Sequence, residues 1–120
     1  MIEKIIRDIS LQMELQDVDT KTLRELLPYV IEGINEIDVS LNDERWVGLG
    51  VHLLSFARRV RENEYLAAVD KSVLAQVGSD VFTVSRQVLE KYSKQFGREI
   101  DDTEALLLAV HFETARNNNK

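Results

Sequence analysis

The chain has no cysteine among its 120 residues. That removes both a disulfide framework and any thiolate metal site, and it suits a cytoplasmic setting. Long apolar runs are also missing. The longest, Ala105 to Phe112, includes His111 and is far shorter than the ~20 residues of a membrane-crossing helix, so no membrane partner is expected. Residues 1–16 carry Glu3, Lys4, Arg7 and Asp8 among apolar positions and do not read as a signal peptide. Basic charge is scarce: 15 Lys and Arg stand against 21 Asp and Glu, a net charge of −6. An acidic surface repels a phosphate backbone, which argues against direct nucleic-acid binding by the overall field. The one basic cluster is Arg58, Arg59 and Arg61. For Arg58 and Arg61 a solvated helix C-terminus, favoured by the helix dipole, is explanation enough.

Several chemistries lack their motifs. There is no glycine-rich phosphate loop, no paired-histidine helix motif and no C-x-x-C. Ser55 lies three residues from His52, a spacing for a surface contact rather than an attack-ready pair. An enzyme is therefore not expected, nor a resident cofactor. His52, His111 and Glu104 form a conceivable metal set, but three ligands spread over two helices without a tight motif are a weak signal, and no metal site is expected.

What is present is helical periodicity. A chain of this length fits one domain with one core, and no stretch sustains strand alternation. The expected fold is all-α, a bundle of about five helices. Ile2, Ile5, Ile6, Ile9 and Met13 mark a first helix over 2–16, broken at Asp17–Thr20. Thr22 and Glu25 form a capping-box pattern for a second helix reaching about Ile37, with either a kink near Arg24–Leu27 or a start at Pro28. Asn42 is the expected N-cap of a central helix to about Glu62, whose Trp46, Leu49, Leu53, Phe56 and Val60 repeat at one-face spacing. A short helix is expected within 65–76, stopped by Gly78. Ser79 should cap a helix over 80–95 with Val81, Val84, Val88, Leu89 and Tyr92 inward, ended by Gly97. Asp101 and Glu104 form a capping box for a last helix, 102–116. That helix is apolar nearly all round from Ala105 to Val110 and should sit at the bundle centre. Residues 117–120 read as a frayed end. The expected division is an N-terminal helix, 1–19, and a helical domain, 20–117.

The central helix and the last one each carry one of the two histidines, His52 and His111. Gly48 and Gly50 beside His52 each cost a helix roughly 1 kcal/mol relative to alanine. They imply either close packing of another helix or open access to the imidazole. Neutral imidazole is a good nucleophile near pH 7. A phosphorylated ring would need a cation nearby. Arg59, seven residues on, shares the face of His52, leans back toward it and has a planar fork suited to phosphate.

The stretches Leu49-Gly50-Val51-His52-Leu53-Leu54-Ser55-Phe56-Ala57-Arg58-Arg59 and Asp101-Asp102-Thr103-Glu104-Ala105-Leu106-Leu107-Leu108-Ala109-Val110-His111-Phe112 resemble the two signatures of the PTS regulation domain (PRD), an all-helical module of bacterial antiterminators and activators. The resemblance covers about Thr22 to Arg116. It implies that His52 and His111 accept phosphate from HPr or a sugar-specific enzyme II component, and that Arg59 steadies the first site. It also implies that phosphorylation shifts the packing of a homodimer and so switches transcription regulation. With no basic effector segment in these residues, a separate effector protein is a further partner to expect. The alternative from another class is a structural homodimerisation or interaction module in which both histidines are packing residues.

Overall fold

The computed structural model describes residues 1–118, the side chains of Lys71 and Asn118 excepted. Five α-helices follow in order: α1 (Ile2–Ser10), α2 (Asp17–Glu36), α3 (Asp43–Arg61), α4 (Ser79–Ser93) and α5 (Asp102–Asn118), with short 3₁₀ segments at Lys71–Gln76 and Lys94–Phe96. No strand occurs among the described residues. The fold is the all-α bundle that the periodicity predicts. Of the expected frayed end, residues 117–118 instead continue α5, and residues 119–120 lie outside the described residues.

The helices form where one face can be buried. On α3 the whole apolar stripe is inside: Trp46, Leu49, Leu53, Phe56 and Val60 are all buried. Asn42 caps α3 as its sequence predicts, accepting a bond from the Arg45 N–H at 2.8 Å. The inward set predicted for α4 is also buried in full. Gly97 ends the segment after α4 at φ +66°, the left-handed conformation that glycine adopts without steric cost.

Four expectations need correction. First, α1 stops at Ser10 and does not reach residue 16. Ile5, Ile6 and Ile9 are buried and Ile2 is partly covered, while Leu11 is 78% and Met13 36% exposed, so the turn after Ser10 has little apolar cover to reward a longer helix. Second, Asp17–Thr20 is not a break but the first turn of α2. The Asp19 carboxylate accepts the Gln16 N–H at 3.0 Å, so the cap lies upstream of the predicted Thr22–Glu25 box. Thr22 is interior and donates to the Val18 carbonyl at 2.7 Å. The helix does not start at Pro28, which lies inside it. Third, α4 begins at Ser79 with Gly78, not Ser79, in the cap position. Fourth, α5 is not buried all round. Ala105, Leu106, Leu108, Ala109 and Phe112 are inside, but Val110 is 38% exposed, because α5 packs on α4 and α3 and leaves its outer side open.

Three helix contacts position the site. α1 packs on α3 at Gly50, where an added Cβ would collide with the Ile9 side chain. α2 packs on α4 at Gly33, where a Cβ would meet Val84 Cγ1 at 2.8 Å. α5 then covers a different side of α3. Its Phe112 and the Phe56 of α3 are both fully buried.

Candidate functional site

The α3–α5 seam brings the two histidines together. Separated by more than fifty residues in sequence, the His52 and His111 rings have centroids 5.2 Å apart and are tilted by 47°. Both side chains are half-buried, neither enclosed nor free. His52 Nε2 is covered and has no hydrogen-bond partner. An unpaired polar atom held away from water is unfavourable and calls for an explanation.

Burial, then the neighbouring His111 and the charge of Arg59, push the His52 pKa down to about 4. Burial first, then Arg45, lowers that of His111. Both rings are therefore neutral near pH 7, the form with a free lone pair. Arg45 was not singled out in the sequence, although a signal was there. It stands seven residues before His52, as Arg59 stands seven after, which places all three near one face of α3.

Arg59 lies in the seam, but its guanidinium is already engaged. Its Nε donates to Glu104 Oε2 and its Nη2 to Glu104 Oε1, both at 2.8 Å. The Glu104 side chain is 1% exposed and that of Arg59 12%. This is the paired fork geometry in which arginine holds a carboxylate most firmly. Glu104 is the one charged side chain among the buried residues described. Its sequence role as the returning half of a capping box is thus wrong in one part. Asp101 Oδ1 does accept the Glu104 N–H at 2.9 Å, but the Glu104 carboxylate turns to α3 instead of back to Asp101.

The same pairing takes Glu104 away from the conceivable metal set with His52 and His111. Among the described residues no three His, Asp or Glu side chains gather in a metal-holding group. The neighbouring arginines do other work. Arg61 donates to the Tyr92 hydroxyl at 3.2 Å and to Thr22 Oγ1 at 3.3 Å, so it ties α3 to α4 and α2 and is more than the solvated helix end expected. Arg58 is exposed beside Glu62, as that expectation has it.

The glycines near His52 divide between the two explanations. Gly50 accommodates Ile9 of α1, whereas a Cβ on Gly48 would meet nothing within 4 Å. Helix side chains lean toward the N-terminus, so the His52 ring leans over the turn that contains Gly48. The space at Gly48 is open, and no neighbouring side chain, that of His52 included, comes within 4 Å of a Cβ placed there.

The site is therefore a pair of neutral, half-covered imidazoles on facing helices, with arginines close enough to act on both. Residues 25–115 match the PRD domain family, and the chain belongs to that family. PRD domains are regulatory parts of transcription regulators. A crystal structure of a PRD-containing transcription regulator from Lactobacillus casei ATCC 334 shares the fold, with a TM-score of 0.77 at 23% identity, covering 92% of this chain and 94% of that one. No curated protein sequence matches at a significant level. Among the described residues no helix is long and apolar enough to cross a membrane.

Proposed function

We propose that this domain is a cytoplasmic PTS-responsive regulatory module that receives a phosphoryl group on His52, and on His111 in a second step, from phosphorylated HPr or an enzyme II component. The observation that carries this reading is the 5.2 Å approach of two neutral imidazoles on separate helices, with Arg59 and Arg45 acting on them. In the transfer, an imidazole nitrogen lone pair attacks phosphorus. The new N–P bond forms as the bond between phosphorus and the donor's side chain breaks, the electron pair stays with the donor, and the accepting ring's proton passes to solvent or to the donor.

The product would carry about −1.5 to −2 charges by analogy with other phosphorylated side chains. A dianion so close to the second ring changes the seam between α3 and α5. Val51 and Val110, next in sequence to the two histidines, are each 38% exposed, and apolar side chains flanking the pair suit a homodimer contact there. The switch in dimer packing, the helical domain over 20–117 and a separate effector protein belong to the same proposal.

Incubation with enzyme I, HPr and phosphoenolpyruvate should add the mass of one or two phosphoryl groups, mapped to the two rings. His52→Ala should remove the first of them. If the wild-type protein gains no phosphate while a control acceptor does, the reading fails. The covered, unpaired Nε2 of His52 favours the second reading, a dimerisation module with packing histidines. That reading predicts no added mass, and stability loss as the only effect of either alanine substitution.

A further inference from the structure

We infer that Glu104 is a positioning residue for phosphoryl acceptance. It holds Arg59 in the unphosphorylated protein, and the phosphoryl group on His52 competes with it for the guanidinium. The inference rests on the reading of His52 as an acceptor. It goes beyond that reading by giving the domain a competition between two anions for one cation.

Three observations carry it. The first is occupancy. Arg59 donates both ends of its fork to Glu104 at 2.8 Å, so it cannot offer the same two donors to a phosphate. The second is location. Glu104 is on the first turn of α5, seven residues before His111, and Arg59 is on the last turns of α3, seven residues after His52. The ion pair and the histidine ring contact are thus two successive contacts across one seam, and Arg59 lies close enough to His52 to disfavour its protonation. The third is which part is free to move. The Arg59 carbonyl accepts from Arg98 Nη1 at 2.9 Å, and Arg98 itself lies 3.9 Å over the Tyr65 ring. The backbone of Arg59 is pinned, so a change of partner is a swing of its side chain. Since helix side chains lean toward the N-terminus, that swing runs toward His52.

The consequence is a latch. With no phosphate, Arg59 joins α3 to α5 through Glu104. With phosphate on His52, Arg59 turns to the new dianion, and a buried carboxylate is left without its cation. Leaving one member of a buried pair alone is strongly unfavourable, so the start of α5 must loosen or rearrange. A chemical event at His52 thereby reaches the end of α5 that is remote from the histidines.

The test compares phosphorylated wild-type protein with Glu104→Gln and Glu104→Asp, using HPr, enzyme I and phosphoenolpyruvate. The donor is then removed, and the decay of phosphate on His52 is followed by site-resolved mass spectrometry. Glutamine keeps the shape but not the charge, and aspartate keeps the charge but shortens the reach. Freed from its competitor, Arg59 should lengthen the lifetime of phospho-His52 by about tenfold in Glu104→Gln, the equivalent of ~1.4 kcal/mol, and by less in Glu104→Asp. Val88→Ala, a loosening substitution on the buried face of α4, should leave the lifetime unchanged and so separates Arg59 release from general destabilisation. An unchanged or shortened lifetime in both Glu104 variants, with His52 phosphorylated in the wild type, overturns the inference and leaves the acceptor reading standing. Equal lengthening in Val88→Ala overturns it as well. Absence of phosphate on wild-type His52 removes both.

Discussion

The two sides of α3 are built on opposite principles. Gly50 and His52 are two positions apart, about 200° around the helix, and face different neighbours. On the Gly50 side α3 meets α1 with no side chain of its own in the way, and Ile9 fills the space completely. The contact is dry and close, as protein interiors usually are. On the His52 side α3 meets α5 across two imidazoles, an arginine and a carboxylate, and one nitrogen goes unpaired. The first side can hold one arrangement only. The second holds groups whose charge or partners can be changed, which is what a switchable seam requires. The two sides should therefore respond differently to substitution and to pH.

The largest effect is expected at the polar seam. Glu104→Ala removes the partner of a nearly buried guanidinium. Breaking a buried pair from one side should cost about 3–4 kcal/mol, toward the lower end of such losses because Arg59 keeps a partly open edge. Replacing both members, Arg59→Met with Glu104→Leu, leaves no uncompensated charge and should recover most of that loss. Urea denaturation of the single and double variants measures both. If the double variant is as unstable as the single, the pair is more than a local electrostatic contact.

Acid should act on the same side. The folded His52 has its pKa pushed down to about 4, whereas an unfolded histidine titrates near the ordinary 6.5. Above pH 6.5 both states are neutral and histidine contributes no pH dependence. As the pH falls below that, the unfolded chain takes up protons that the folded one refuses, so stability declines until the folded ring also protonates near pH 4. The full loss is about 3 kcal/mol from His52, with a further part from His111, whose pKa is also lowered. Thermal unfolding between pH 7 and 4.5 should show this slope, and His52→Gln should flatten it. A slope unchanged in that variant would mean that the proton uptake belongs elsewhere. The carboxylates lowered by arginine partners, Glu3, Asp80 and Glu113, lose their contribution only in more acid solution.

Much of this was legible in the sequence because it is periodic or local. The stripe on α3, the inward set of α4, the Asn42 cap and the Gly97 stop all follow from rules that act within a few residues. The histidines stand out by being only two. The misses have a common cause. Glu104 read as half of a capping box because Asp101 lies three residues before it, and the sequence does not show that Arg59, 45 positions away, would arrive at the same carboxylate. A long-range ion pair beats a local cap when it is buried and the cap is exposed. Likewise Met13 falls in the helical period of α1 but lies beyond its end, because only tertiary cover decides whether such a position is used. Arg45 has the same spacing to His52 as Arg59 but lies before it, where the signature that the stretch resembles places no arginine.

The smallest expected effects lie within α3 itself and would sharpen the contrast between its sides. Gly48 and Gly50 are both helical, so alanine should gain roughly 1 kcal/mol at either by propensity alone. At Gly48 nothing opposes that gain, because the added methyl meets no atom within 4 Å. Gly48→Ala should raise stability by up to about 1 kcal/mol. At Gly50 the methyl runs into Ile9, whose side chain is fully buried and has no empty space to take. Overpacking there costs typically 1–3 kcal/mol, so Gly50→Ala should come out destabilised by about 1 kcal/mol once the propensity gain is subtracted. Gly50→Ala with Ile9→Val gives the methyl room and should recover part of the loss. Denaturant melts of the three proteins test the sign at each position. Were Gly48→Ala stabilising but poorer at taking phosphate, the open turn beneath His52 would be an entry path that costs the helix stability. Were it stabilising with unchanged transfer, access to the ring would lie on the α5 side of the seam.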